Sequence, residues 1–102
     1  MPNTSRRVSF DLGQLFITPA AAEALQRNEM NGLEILARHV RGDWGNLCDE
    51  DKTANENALQ TGARLLSTYT LPDETTIWII TDAEIDDDHR RYATTLLLPE
   101  DY

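Results

Sequence analysis

Five carboxylates fall within seven residues, at Asp82, Glu84, Asp86, Asp87 and Asp88, and His89 follows them directly. Crowded carboxylates beside an imidazole are side chains that can hold a divalent cation. The spacing argues against a calcium loop. Counted from Asp82, an EF-hand would need glycine at its sixth position and glutamate at its twelfth, where this chain has Asp87 and Ala93. No metal site and no cofactor is therefore expected, and the stretch reads as the solvated tip of a hairpin. A second cluster, Arg38, His39 and Arg41, combines an imidazole able to move a proton near neutral pH with guanidinium groups able to hold a phosphate. That is the composition of a small metal-independent ribonuclease or toxin-like domain using His39 and Arg38. The same residues also suit the last turn of a helix, whose negative end attracts cations. No Ser-His-Asp order, glycine-rich phosphate loop or Cys-His metal spacing accompanies them, so no catalytic residue is assigned.

Charge is the strongest global constraint. Eighteen acidic and nine basic residues leave a net charge of −9 over 102 residues. The imbalance grows along the chain: residues 1–42 carry +1, residues 43–71 carry −3 and residues 72–102 carry −7. Such a surface repels a phosphate backbone, so direct nucleic-acid binding is disfavoured. It favours the opposite partner, a basic protein surface of the kind that normally holds nucleic acid. Acidity would also serve to keep a small domain soluble. Asp82, Glu84, Asp86, Asp87 and Asp88 are the expected partner-binding residues, because they concentrate the charge on one loop. No apolar stretch suits a signal peptide or a membrane span, so a cytoplasmic protein without membrane contact is expected. Cys48 is the only cysteine, which leaves no internal disulfide and suggests a buried or inert thiol.

These clusters need a scaffold, and 102 residues make a single domain. Ile77-Trp78-Ile79-Ile80, between polar brackets, reads as a strand covered on both faces. Residues 64–71 and 92–98 flank it as further strands, joined through Pro72-Asp73-Glu74-Thr75 and through residues 83–90. Residues 7–12 alternate, Val8, Phe10 and Leu12 against Ser9 and Asp11, and are expected to add a strand at the sheet edge, with a free arm as the alternative. Thr18-Pro19 predicts a helix start, with Ala21, Ala24 and Leu25 as the inner stripe. Asn31-Gly32 starts a second helix over residues 33–40, with Leu33, Leu36, Ala37 and Val40 on one face. Trp44, between Gly42 and Gly45, predicts a loop pinned by an aromatic anchor. Asp49-Glu50-Asp51 opens a third helix, with Ala54 and Ala58 inward and Gly62 as its stop. The fold class is α+β. A small antiparallel sheet, a three-stranded C-terminal meander plus an N-terminal strand, would carry two to three helices packed on one face.

One further pattern runs through the chain. Leu12-Gly13-Gln14, Ile17-Thr18-Pro19-Ala20, Leu36-Ala37-Arg38-His39 and Gly42-Asp43-Trp44-Gly45 come first. Asn55-Glu56, Arg64-Leu65-Leu66-Ser67, Trp78-Ile79-Ile80-Thr81, Thr94-Thr95 and Leu97-Leu98-Pro99-Glu100-Asp101-Tyr102 follow. In this order they resemble a small uncharacterised prokaryotic family found on plasmids and other mobile elements, labelled plasmid-related protein or type I restriction subunit M. The resemblance covers nearly the whole chain from Leu12 and implies no established activity. A methyltransferase subunit would be far larger and would need a cofactor-binding glycine pattern that this chain lacks. Where the family runs through a short acidic turn with Arg-Ser into Thr-Thr, this chain has an expanded loop, residues 83–93. Any role of that turn's arginine would fall to Arg90 or Arg91. Resemblance and charge together imply a non-enzymatic acidic interaction protein. It would inhibit a host defence complex, such as a CRISPR effector or a restriction enzyme, by occupying its basic nucleic-acid-binding surface. The ribonuclease-like domain and a structural binding module are the alternatives.

Overall fold

A computed structural model describes residues 10–102, which form three helices and four strands. Helix α1 (Pro19–Arg27) begins where the Thr18 hydroxyl accepts from the Ala21 N–H at 3.1 Å, and Pro19 fills a position whose amide would have had no partner. Helix α2 (Gly32–Val40) opens with a capping box: the Asn31 side chain accepts from the Leu33 N–H, and Glu34 accepts from the Asn31 N–H. Helix α3 (Asp49–Thr61) carries Asp49, Glu50 and Asp51 at the positive end of its dipole and stops at Gly62 in the left-handed region. Among the described residues no helix is long and apolar enough to cross a membrane.

Strands β1 (Gln14–Ile17), β2 (Leu65–Thr70), β3 (Thr76–Thr81) and β4 (Ala93–Leu97) make one sheet in the order β1-β4-β3-β2. The meander is as the sequence predicts: β2 and β4 flank β3 antiparallel, with Ile79 opposite both Ser67 and Leu96. The N-terminal strand is not where alternation placed it. Phe10, Asp11 and Leu12 lie outside any strand, residues 7–9 fall outside the described residues, and β1 begins after Gly13. Gly13 holds φ at +63°, and a side chain there would run into the Arg91 and Tyr92 carbonyls, so the chain turns tightly onto β4 at this point. β1 also runs parallel to β4, Leu15 opposite Thr94 and Ile17 opposite Leu96, which makes the sheet mixed rather than antiparallel. No hairpin joins these two strands, and only a hairpin would force them to be antiparallel.

Pleating sends Tyr69, Ile77, Ile79 and Leu96 to one face, where Ala21, Ala24 and Leu25 of α1 and Ile35 and Leu36 of α2 pack on them. Small residues on α1 let it lie close to the sheet. Full burial of each large side chain here stabilises the fold by roughly 1.5–3 kcal/mol. A second cluster, Trp44, Ala58 and Leu65, fixes α3 against β2, and Trp44 is the buried anchor its sequence context predicts. Three packing expectations are corrected. α2 turns Ile35, Leu36 and His39 inward and leaves Leu33 exposed, because the sheet below it offers hydroxyl partners to His39. On α3, Asn55 rather than Ala54 is buried. Trp78 is only half-buried; the Tyr102 ring lies 5.8 Å from it, and the turn Pro99–Asp101 packs on β3. Cys48 is exposed at the start of α3.

The two edges of the sheet are finished differently. On the β2 edge the Asn55 amide donates to the Leu66 carbonyl at 2.6 Å and accepts from the Leu66 N–H at 3.1 Å, standing in for a neighbouring strand. One step along, the Thr68 N–H donates to the Trp44 carbonyl at 3.2 Å, and the Asn46 N–H donates to the Thr68 carbonyl at 2.8 Å. The loop comes so close that a side chain on Gly45 would overlap the Thr68 carbonyl. At the other edge, β1 pairs with β4 alone among the described residues.

Candidate functional site

Beyond β3 the chain returns to β4 through a smaller ladder. Glu84 and Arg91 form an antiparallel bridge, and the Ile85 N–H donates to the Arg90 carbonyl at 2.7 Å. One carboxylate holds the tip. Asp86 Oδ1 accepts from the N–H of Asp88 at 3.0 Å and of Arg90 at 3.2 Å, while Oδ2 takes the Arg90 guanidinium at 2.6 Å. The Arg90 guanidinium keeps the Asp86 carboxyl below its ordinary range. Alternation across the ladder then decides which way each side chain goes. Glu84 and Arg91 turn inward. Ala83, Ile85, Arg90 and Tyr92 turn outward, and Ile85 and Tyr92 are 63% and 59% exposed. These two are diagonal neighbours on an antiparallel pair, within reach of one another as a single apolar patch.

Arg91 is the foundation of the hairpin. Its Nη1 donates to the carbonyls of Ala63 at 2.7 Å and Asp82 at 2.9 Å, and Nη2 reaches the Ala58 carbonyl at 3.5 Å and lies 3.7 Å from Glu84 Oε2. The Ala58 and Ala63 carbonyls mark the negative end of α3, a natural seat for a cation. The Phe10 ring covers the guanidinium at 6.0 Å. Burial lowers the Arg91 pKa, while the charges of Glu84 and Asp11 act against the shift. The Arg91 N–H donates to Asp11 Oδ2 at 2.9 Å, which holds that carboxyl below its usual range. Among the described residues, Nε of Arg91 is buried without a hydrogen-bond partner. A cavity of about 350 Å³ lies under the hairpin, between Phe10, Asp11, Leu59, Glu84, Asp88 and Arg91. No group of three His, Cys, Asp or Glu side chains among the described residues is placed to hold a metal ion.

The five acids expected to bind a partner share this hairpin but have different work there. Asp82 is half-buried and serves through its backbone, donating to the Ala93 carbonyl and accepting from Arg91. Glu84 is half-buried, contacts His89 Nδ1 at 3.0 Å and so raises the His89 pKa. Asp86 is the turn itself. Asp87 and Asp88 stand exposed at the tip. Ile85 and Tyr92 are not singled out by the sequence, and Arg91 enters there only as a candidate stand-in for the arginine of the family's short turn. Their signal was the alternation of Ala83 with Ile85 and of Arg90 with Tyr92, legible once Glu84 is paired with Arg91.

The second cluster is pulled apart. His39 is 0% exposed, between the Phe10 and Trp44 rings at 5.5 and 5.7 Å. Its Nδ1 meets Ser67 Oγ and its Nε2 meets Thr81 Oγ1 at 2.9 Å; Thr81 Oγ1 in turn meets Thr94 Oγ1 at 2.8 Å, and Thr94 donates to the Leu12 carbonyl at 2.8 Å. Counting protons along this chain fixes its direction. A carbonyl can only accept, so the Thr94 proton goes to Leu12, the Thr81 proton to Thr94, and Thr81 accepts from Nε2–H of His39. Nε2 of His39 then carries a proton, and a neutral ring would take its second hydrogen bond from Ser67 at Nδ1. Burial favours that neutral form, pushing the His39 pKa down to about 4. Both ring nitrogens are used, and no exposed atom can take a proton from a bound substrate. Arg38 points elsewhere: its Nε lies 2.8 Å from Asp43 Oδ2 and its guanidinium 4.7 Å over the Tyr69 ring. The Tyr69 hydroxyl donates to the Asp43 carbonyl at 2.6 Å, and Trp44 Nε1 donates to Glu56 at 2.9 Å, so this region ties the 43–46 loop down.

No protein family, curated protein or solved structure matches the chain.

Proposed function

We propose that the protein is an acidic interaction protein whose residue 83–92 hairpin docks on a basic, nucleic-acid-binding surface of a partner protein. The observation that carries the reading is the braced hairpin: Ile85 and Tyr92 are exposed on its outer face, and Asp87 and Asp88 on its tip. Exposed apolar anchors beside charges are the composition of a protein-binding surface, with energy from the anchors and partner choice from the charges. Asp86 and Arg91 hold the tip in advance of binding, which lowers the ordering cost of association. The net charge of −9 steers the hairpin towards basic surfaces and away from nucleic acid itself. Membership of a mobile-element family would narrow the partner to a host defence complex, a CRISPR effector or a restriction enzyme, in the cytoplasm.

The test compares two double variants, Asp87→Asn with Asp88→Asn and Ile85→Ser with Tyr92→Ser, as tagged baits in a host lysate. The captured protein is then assayed for nucleic-acid binding with and without the bait. Both variants are expected to keep the wild-type melting temperature and to bind the partner at least tenfold more weakly, with the Asn variant also losing salt dependence. Wild-type capture by both variants, or a partner that binds nucleic acid equally well with the bait present, would sink the reading.

A further inference from the structure

The start of α2 holds a chemically reactive pair. Asn31 is the only asparagine of the chain followed by glycine. With no Cβ beside it, a glycine nitrogen can approach the carboxamide of the preceding residue more closely than any other amide can. Asn31 is exposed and Gly32 half-buried. The Gly32 N–H stands at the first helical position, where no carbonyl of the helix faces it, and it donates to no acceptor among the described residues. Asn28, Asn46 and Asn55, by contrast, each donate their side-chain amide to a fixed acceptor, at 2.8, 2.7 and 2.6 Å. Packing explains the glycine. A Cβ on Gly32 would come within 3.3 Å of Leu96 Cδ2 and 3.5 Å of Leu25 Cδ1, so α2 starts close against β4 and α1.

The cap holds this pair out of reaction geometry. Attack of the Gly32 nitrogen on Asn31 Cγ closes a five-membered ring. The nitrogen must then lie nearly in the plane of Cβ, Cα and C, which an L residue reaches only at negative ψ. Asn31 sits at φ −95° and ψ 132°, the extended conformation of an N-cap. Its Oδ1 accepts from the Leu33 N–H at 2.9 Å, and Glu34 Oε1 accepts from the Asn31 N–H at 3.3 Å. Both bonds are exposed, and Leu33 beside them is 63% exposed, so little buried surface holds the first turn shut. We propose that Asn31-Gly32 is a site of spontaneous deamidation, closed by the capping box of α2 and reactive whenever the first turn opens.

In the open turn the Gly32 nitrogen gives up its proton and bonds to Asn31 Cγ, the Cγ–Nδ2 bond breaks, and ammonia leaves with that proton. Water then opens the cyclic imide at one of its two carbonyls. Cleavage between Cγ and the Gly32 nitrogen leaves an aspartate at position 31. It adds one negative charge to the −9 chain, at the positive end of α2, and caps as well as asparagine does. Cleavage at the main-chain carbonyl leaves an isoaspartate, whose backbone runs through Cβ and no longer presents a capping oxygen to the Leu33 N–H. Ageing thus divides the protein into a form with a sound α2 and a form whose α2 is weakened, together with the packing of Ile35, Leu36 and His39. This inference does not rest on the hairpin reading, which concerns a different surface.

The test follows amide loss by mass analysis of tryptic fragments, with the folded chain and a guanidinium-unfolded sample kept side by side in mildly alkaline buffer. The fragment of residues 28–38 should convert first in both, at Asn31 and not at Asn28. Unfolding should speed the conversion about tenfold, the factor that loss of a helix cap implies. Glu34→Ala loosens the cap without touching the Asn-Gly step. It should speed conversion about threefold in the folded chain and leave the unfolded rate unchanged. The isoaspartate form, separated by ion exchange, should melt below wild type, while Asn31→Asp should melt no lower than wild type. An Asn31 still intact in the folded chain after the unfolded sample has fully converted would overturn the proposal. So would equal rates in the folded and unfolded samples, a folded Glu34→Ala chain converting at the wild-type rate, or another asparagine converting ahead of Asn31.

Discussion

Protonating His39 should cost the fold stability in a pH range that lies mostly above the one in which the lowered carboxylates of Asp11, Asp43, Asp73, Asp86 and Asp101 lose theirs. The imidazole sits at about 4 in the folded protein against an ordinary value of 6.5. Above about pH 6.5 it is neutral in both states, and its contribution is complete. Between about pH 6.5 and 4 the unfolded chain takes up a proton that the folded chain refuses, so stability falls; below about pH 4 the loss levels off. The shift corresponds to about 3 kcal/mol in full, of which about 2.5 kcal/mol is lost by about pH 4.5. His89 works in the opposite sense. Glu84 raises its pKa, so its contribution is present at low pH and disappears as pH rises through the folded value. A His89→Gln background removes that compensation. Urea midpoints at about pH 7.5 and 4.5 should then differ strongly with His39 present and little in His39→Gln, whose amide can still meet Ser67 and Thr81 but cannot titrate. The substitution itself should cost about 1–3 kcal/mol at neutral pH through poorer buried hydrogen bonds. Equal pH slopes with and without His39 would refute the argument, as would a ring spectrum showing the proton on Nδ1 rather than Nε2.

Ile79→Ala, at the centre of β3 and fully buried, should lower stability by about 2–5 kcal/mol, read as a shift in denaturant midpoint with unchanged slope. A midpoint within error of wild type would remove β3 from the centre of the core. Arg91→Lys keeps the charge but cannot donate to the Ala63, Asp82 and Ala58 carbonyls together, so a loss of about 2–4 kcal/mol is expected, with faster amide exchange in residues 83–92. Unaltered exchange there would mean that the hairpin stands without its buried cation.

The parts of the fold legible in the sequence are those fixed by neighbours a few residues apart. Thr18-Pro19, Asn31 and Gly62 each act on a single helix turn, and the observed helix ends follow them closely. The meander was legible because its strands are consecutive and strongly apolar. What was missed depends on contacts across long stretches of chain. His39 belongs to the core because Ser67 and Thr81, 28 and 42 residues away, meet both its nitrogens, and no periodicity count treats histidine as apolar. β1 is a strand because β4 offers it an edge, whereas residues 10–12, with a better alternating pattern, have none. In the hairpin, nothing local separates Arg90 from Arg91. Their opposite fates, one on the surface and one beneath it, follow from which of them faces Glu84.

The pairing of β1 with β4 also says something about the order in which the molecule assembles. Its bonds join Gln14 to the neighbourhood of Ala93, so a loop of about 80 residues must close before any of them can form. The hairpins of β2, β3 and β4 close short loops and need no help from the N-terminal part of the chain. α1 and α2 then find a face to pack on, and their docking draws the two ends of the long loop together. β1 is accordingly expected to be the last strand to settle and the first to be released when the protein breathes. Each release briefly turns β4, with its Leu96 and Leu97, into the edge of the sheet. The moment of greatest danger for this chain is therefore not global unfolding but the loss of a single four-residue strand.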